Sequence, residues 1–169
     1  LYRACHDAND PNFREKFIIY LSGIDPLEDV GIEEIYSDRI LEEGLAELRN
    51  HGYSFVIVDW KSITRSLEIN ADHVIGLINE LKCNYLGGGD LGEQFVVIGE
   101  SMGGLIGRYA LRKMELFNTP CKPSLKHNTR LFISYDAPQA GAYIPLAGQH
   151  FIANRGVLGA MFTFSVIRN

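Results

Sequence analysis

The stretch QFVVIGESMGGLIGRYALRK, residues 94–113, decides the fold. Four strand-forming residues, Phe95 to Ile98, lead into Gly99-Glu100-Ser101-Met102-Gly103, and an amphipathic helical pattern follows at once. A serine at a sharp strand-to-helix turn must take up backbone angles that ordinary residues avoid. The residues two before and two after it must then be small to escape collision. Gly99 and Gly103 stand at those two positions. The predicted turn therefore lifts Ser101 to the tip of a strand. The plainer reading is a glycine-rich turn that binds nothing, or an anion at the helix N-terminus. The glycine order does not fit G-x-G-x-x-G, which argues against a dinucleotide site.

Working outward, short apolar runs and amphipathic stretches alternate. KFIIYLSGIDP (16–26) reads as a strand buried on both faces, and YSFVIVDW (53–60) as a second. Residues 37–50 carry Ile40, Leu41, Leu45 and Leu48 on one helical stripe, with Ser37 as the predicted N-cap and Gly52 after the end. Residues 70–86 form a second helical pattern, capped by Asn70, with Val74, Ile75, Leu77, Ile78 and Leu81 turned inward. A glycine loop at 87–89, the strand and helix around Ser101, a polar connector with Pro120 and Pro123, and TRLFISYDAP (129–138) complete the pattern. Such alternation implies right-handed crossovers and a mainly parallel α/β sheet with helices on both faces. Residues 1–15 read as a lead-in segment and 16–169 as one domain, and the absence of an initiator Met suggests a piece of a longer product.

The bulk numbers narrow the function. A chain of 169 residues with 46% hydrophobic and 22% charged residues is ordinary for a globular domain. Its net charge of −5 offers no footprint for nucleic acid. No apolar run reaches the ~20 residues of a membrane span. Cys5, Cys83 and Cys121 are scattered with no CxxC spacing, so they read as free thiols and leave the compartment open. No metal or cofactor motif is present.

An acyl-transfer site at Ser101 would need donors for a tetrahedral oxyanion. The backbone N–H of Met102, at the helix N-terminus, is one candidate. The second belongs to the loop after an earlier strand, where Gly23 permits a turn and Ile24 supplies the N–H.

These residues resemble the α/β-hydrolase superfamily, in its lipase and esterase branch. VVIGESMGGLIGRYAL is similar to the nucleophile elbow of that branch, G-[HE]-S-M-G-G-L-x-x-R-Y, and FIIYLSGIDP is similar to its oxyanion strand. FISYDAPQAGAYIPL resembles the T-P-H-x-G-A segment of lipase-like hydrolases that include the PGAP1-like group. The resemblance spans about residues 16–146 and implies a serine hydrolase acting on carboxylic esters through an acyl-enzyme on Ser101. Ser22 stands where the family has the histidine of its H-G pair, and Gln139 replaces the histidine of T-P-H-x-G.

The family's triad runs Ser, then acid, then His on a loop after the last strand. Asp136, at the end of the fourth strand, aligns with the acid position of some lipases of this fold. Asp25 and Asp59 sit at other strand ends and read as structural. Of the five histidines, His6, His51, His73 and His127 precede the acid, and only His150 follows it. The resemblance thus expects an incomplete domain whose catalytic His lies beyond Asn169. The implied substrate is a small-molecule or lipid ester, with no cofactor. The apolar tail 151–167 is a candidate lid for lipid or membrane-surface contact, though an ordinary core or sheet-covering helix is the plainer reading. Amide cleavage, acyl transfer and a catalytically inactive binding module remain open. Secretion, with a signal peptide outside this chain, is one reading of the compartment.

Overall fold

A computed structural model describes residues 16–24, 31–37, 45–60, 66–84, 95–117, 127–143 and 145–146. The predicted lead-in 1–15, Asp25, the 87–89 loop, the 118–126 connector, His150 and the tail 151–167 lie outside the described residues.

Four strands form one sheet: β1 (Lys16–Leu21), β2 (Tyr53–Val58), β3 (Phe95–Glu100) and β4 (Thr129–Tyr135). Their order is β2-β1-β3-β4 and every pairing is parallel. A parallel pair needs a crossover over one face of the sheet, which is where the helices lie. Helices α2 (Leu67–Asn84) and α3 (Met102–Leu116) bury Val74, Ile78, Leu81, Ile106 and Leu111 against Phe17, Ile19, Leu21 and Val97. On the other face, Ile35 and Tyr36, at the end of the short α1 (Ile32–Ile35), and Leu48 of a 3₁₀-helix (Leu45–His51) pack with Ile18, Tyr20 and Phe55. The period-2 alternation of a strand thus sends odd residues of β1 to one core and even residues to the other. That explains why its apolar run is continuous. The fold is α/β.

Three sequence expectations change. The helix predicted from Asn70 starts at Leu67, because Ser66 Oγ accepts the N–H of Ile69 at 3.3 Å. Asn70 is instead buried inside the first turn, and its Nδ2 has no partner among the described residues. The stripe at 37–50 is not one α-helix: Ser37 follows α1 rather than capping a helix, and Leu45–His51 is 3₁₀. Gly52 does end that segment, at φ 85° with its N–H on Arg49 O. Finally, Cys83 is disulfide-bonded rather than a free thiol. Cys5 and Cys121 lie outside the described residues.

β2 and β4 are the outer strands. On β4, Leu131, Ile133 and Tyr135 are 49%, 39% and 53% exposed. They share the face opposite α3, whereas Phe132 packs beneath that helix. Among the described residues no helix is long and apolar enough to cross a membrane.

Candidate active site

The C-terminal ends of the four strands lie along one edge of the sheet, and Ser101 stands there between β3 and α3. Its backbone takes φ 49° and ψ −117°. For a residue with a Cβ this pose is strained, at about 1–3 kcal/mol, and persists only where the surroundings enforce it. The enforcement is visible. Ser101 N–H donates to Tyr135 O at 2.9 Å, and Ser101 O accepts from Gly104 N–H at 3.1 Å.

The flanking glycines are required by contact. A Cβ at Gly99 would lie 2.6 Å from Gly104 Cα and 2.7 Å from Gly103 O. At Gly103 it would lie 2.3 Å from Leu21 O and 2.5 Å from Ser22 O. At Gly104 it would strike Ala137 Cβ at 2.5 Å. The first turn of α3 is thus pressed onto the end of β1 and onto the segment after β4. A Cβ at Gly23 would stand 3.2 Å from Ser101 Cβ, so the loop after β1 runs directly beside the serine. Ile24 follows on that loop, half-buried against the α2–α3 core. Met102 is buried at the first position of α3.

Carboxylates ring this edge. Asp136 directly follows Tyr135, whose carbonyl holds Ser101, and is exposed with φ 45°. Asp59, past the end of β2, accepts the Ser22 hydroxyl at 3.3 Å and the Trp60 backbone N–H at 2.9 Å. Glu100 accepts a hydrogen bond from the buried Tyr20 hydroxyl. Sequence reading passed over Tyr20 and Glu100. Their meeting depends on the β1–β3 register, which sets Tyr20 opposite Ile98 and Leu21 opposite Gly99. No local signal carries that.

Gln139 also does more than its sequence context suggests. Its Nε2 donates to Ser134 Oγ at 2.8 Å and Gly104 O at 3.2 Å, and its Oε1 accepts from Arg108 at 3.0 Å. This side chain fastens the segment after β4 to the helix that begins at Ser101.

The described histidines lie away from this edge. His51 ends the 3₁₀-helix before β2, and His73 is exposed on α2. His127 sits before β4, at the opposite end of the sheet, where its Nδ1 accepts the Thr129 N–H at 2.9 Å. A six-residue strand separates that end from Ser101, or roughly 20 Å at ~3.3 Å per residue. No group of three or more His, Cys, Asp or Glu among the described residues could hold a metal ion.

No protein-family model matches the chain, and no curated protein is similar enough in sequence to match it. Among solved structures it is similar to a thermophilic esterase from the Planctomycetes species Thermogutta terrifontis, solved with butyrate bound, at a TM-score of 0.41 and 13% identity. The likeness covers 86% of this chain, which spans 52% of that structure's length. A likeness that distant carries no weight for the chemistry of the site.

Proposed function

We propose that the chain belongs to a serine hydrolase of the α/β-hydrolase type that cleaves carboxylic esters through an acyl-enzyme on Ser101. One observation carries this reading: a serine at φ 49° between glycines that have no room for a Cβ, with Gly23 beside it. Strain of this kind is maintained where a side chain must be presented. In the proposed reaction Ser101 Oγ attacks the ester carbonyl, and the N–H groups of Met102 and Ile24 receive the developing oxyanion. The serine's proton passes to a histidine base, which returns it to the departing alcohol, and water then releases the acid. We assign that base to residues outside those described, either His150 or a histidine in further chain. Asp136 is the proposed acid. The segment SYDAPQAGAYIPL supports the lipase-like, PGAP1-like branch, and a small-molecule or lipid ester is the proposed substrate.

The test is labelling of the full-length polypeptide with a fluorophosphonate probe, with mass spectrometry to locate the adduct, beside turnover of a short p-nitrophenyl ester. The adduct is expected on Ser101, and Ser101→Ala should abolish labelling and turnover. Labelling with turnover of amides but not esters would move the leaving group. A full-length protein inert to probe and substrates would make this a binding module.

A further inference from the structure

Beyond Leu21, β1 gives way to the loop that runs beside Ser101, and one residue at its start, Ser22, is held from β2 through all its polar groups. Its N–H donates to Val58 O at 3.0 Å, and its hydroxyl donates to Asp59 Oδ1 at 3.3 Å. Its carbonyl accepts the Trp60 indole N–H at 2.8 Å. The Asp59 oxygen that receives the hydroxyl also receives the Trp60 backbone N–H at 2.9 Å. On the other side the Ser22 carbonyl is pressed against α3, where a Cβ at Gly103 would stand 2.5 Å away. Ser22 itself is 5% exposed. The Ser22–Gly23 peptide is therefore wedged between the indole of Trp60 and the first turn of the serine's own helix.

We infer that Trp60 is a positioning residue for the oxyanion loop. A peptide unit is planar and rigid, so fixing the Ser22 carbonyl fixes the Gly23 nitrogen and sets the path of the chain to Ile24. Gly23 is the residue that packs on Ser101, and Ile24 carries the proposed second oxyanion donor; the inference rests on that reading of the site. A carbonyl of the loop would otherwise be left to rotate about its flanking bonds, and the Ile24 N–H would move with it. Trp60 touches neither the serine nor the substrate in this account. Its effect passes through Ser22. The sequence holds a single tryptophan, so one indole signal reports on this contact without interference.

Two measurements on the full-length polypeptide test the inference. In Trp60→Phe an aromatic ring stays against the core, smaller than the indole, and the N–H donor is lost. Turnover of the ester should fall about 10–100-fold in kcat, less than deletion of an oxyanion donor costs, with KM within about twofold. The preference for an oxoester over its thionoester should shrink as well, since sulfur accepts hydrogen bonds poorly and depends less on the hole. A merely structural role would lower both substrates alike. In the unaltered protein, fluorophosphonate attached to Ser101 should shift the one indole N–H resonance, a readout that survives even if Trp60→Phe fails to fold. An unmoved resonance, or wild-type kcat and oxo/thiono preference in Trp60→Phe, overturns the positioning role while leaving the hydrolase reading intact. Absence of any Ser101 adduct in the unaltered protein removes the hydrolase reading, and the positioning role with it.

Discussion

At the C-terminal edge of the sheet, Ser101 is held by two backbone hydrogen bonds and by glycines whose absent Cβ atoms would land 2.3–2.7 Å from neighbouring atoms. At the other end, α3 and β4 flank an open surface pocket of about 390 Å³ lined by Arg108, Arg112, Glu115, His127, Thr129, Leu111 and Phe132. The second region pairs charges of opposite sign. Arg112 pairs with Glu115 at 2.7 Å, and His127 Nε2 lies 3.6 Å from the same carboxylate. Yet the Arg112 and Glu115 side chains are largely exposed, and exposed pairs add little to stability because water screens them and entropy opposes their fixing. The first region's order is enforced by backbone against backbone, with side-chain hydrogen bonds from Trp60 and Gln139 beside it. The contrast separates a solvated polar cluster from the proposed site: what marks Ser101 is the conformational cost of its φ of 49°.

Gly103 against Gly76 breaks the comparison hardest. Gly103→Ala puts a Cβ onto the carbonyls of Leu21 and Ser22, at the end of β1 where it lies between β2 and β3. The expected loss is about 3 kcal/mol, at the upper end for overpacking. Gly76, inside α2, has nothing within 4 Å of its missing Cβ, so Gly76→Ala should gain about 0.5–1 kcal/mol from helix propensity alone. Urea denaturation midpoints measure both. Equal and small effects would mean that the elbow is not jammed.

Ser101→Gly is the next largest effect, and it has the opposite sign. Glycine takes φ 49° freely, so relief of strain outweighs the extra freedom it gives the unfolded chain. A net gain of about 1 kcal/mol should accompany complete loss of ester turnover. A destabilised Ser101→Gly would show that the hydroxyl, not the backbone pose, is what the surroundings hold.

How much of this was legible without coordinates depends on the range of the interactions. The four strands read correctly from their apolar runs: in β1 burial on both faces leaves no polar alternation, and in β4 the run is apolar although Leu131, Ile133 and Tyr135 are exposed. The start of α2 did not, since Ser66 and Asn70 are both good capping residues. The choice fell to the burial of Asn70, at 2% exposure. Ser101 and its glycines stood out because the pattern lies within five residues, although the contacts that require Gly103 come from Leu21 and Ser22. The hold of Trp60 on Ser22 spans 38 positions and that of Tyr20 on Glu100 spans 80. Both exist only once register brings β1 beside β2 and β3. Gln139 read as a lost histidine, and only the packing of Ala137 on Gly104 shows why an amide there ties strand to helix.

The smallest expected effect lies at the charged end. The hydrogen bond from Arg112, and then the nearby His127, hold the Glu115 carboxyl below its ordinary value. A carboxyl lowered on folding contributes stability above its unfolded value, and that contribution is lost as pH falls through the lowered one. Since Glu115 is open to solvent, Glu115→Gln should leave the thermal midpoint near neutrality unchanged within measurement scatter. Any difference from the parent should narrow further on acidification, as the parent's carboxylate is protonated. His127→Gln removes the acceptor for the Thr129 N–H and should cost little more, the strand itself being paired along β3. Neither change should alter ester turnover or labelling at Ser101, because a strand's length separates them from it. Loss of labelling in a folded His127→Gln protein would place the proton acceptor at the wrong end of the sheet for this account, and the elbow would then have to be read as a turn.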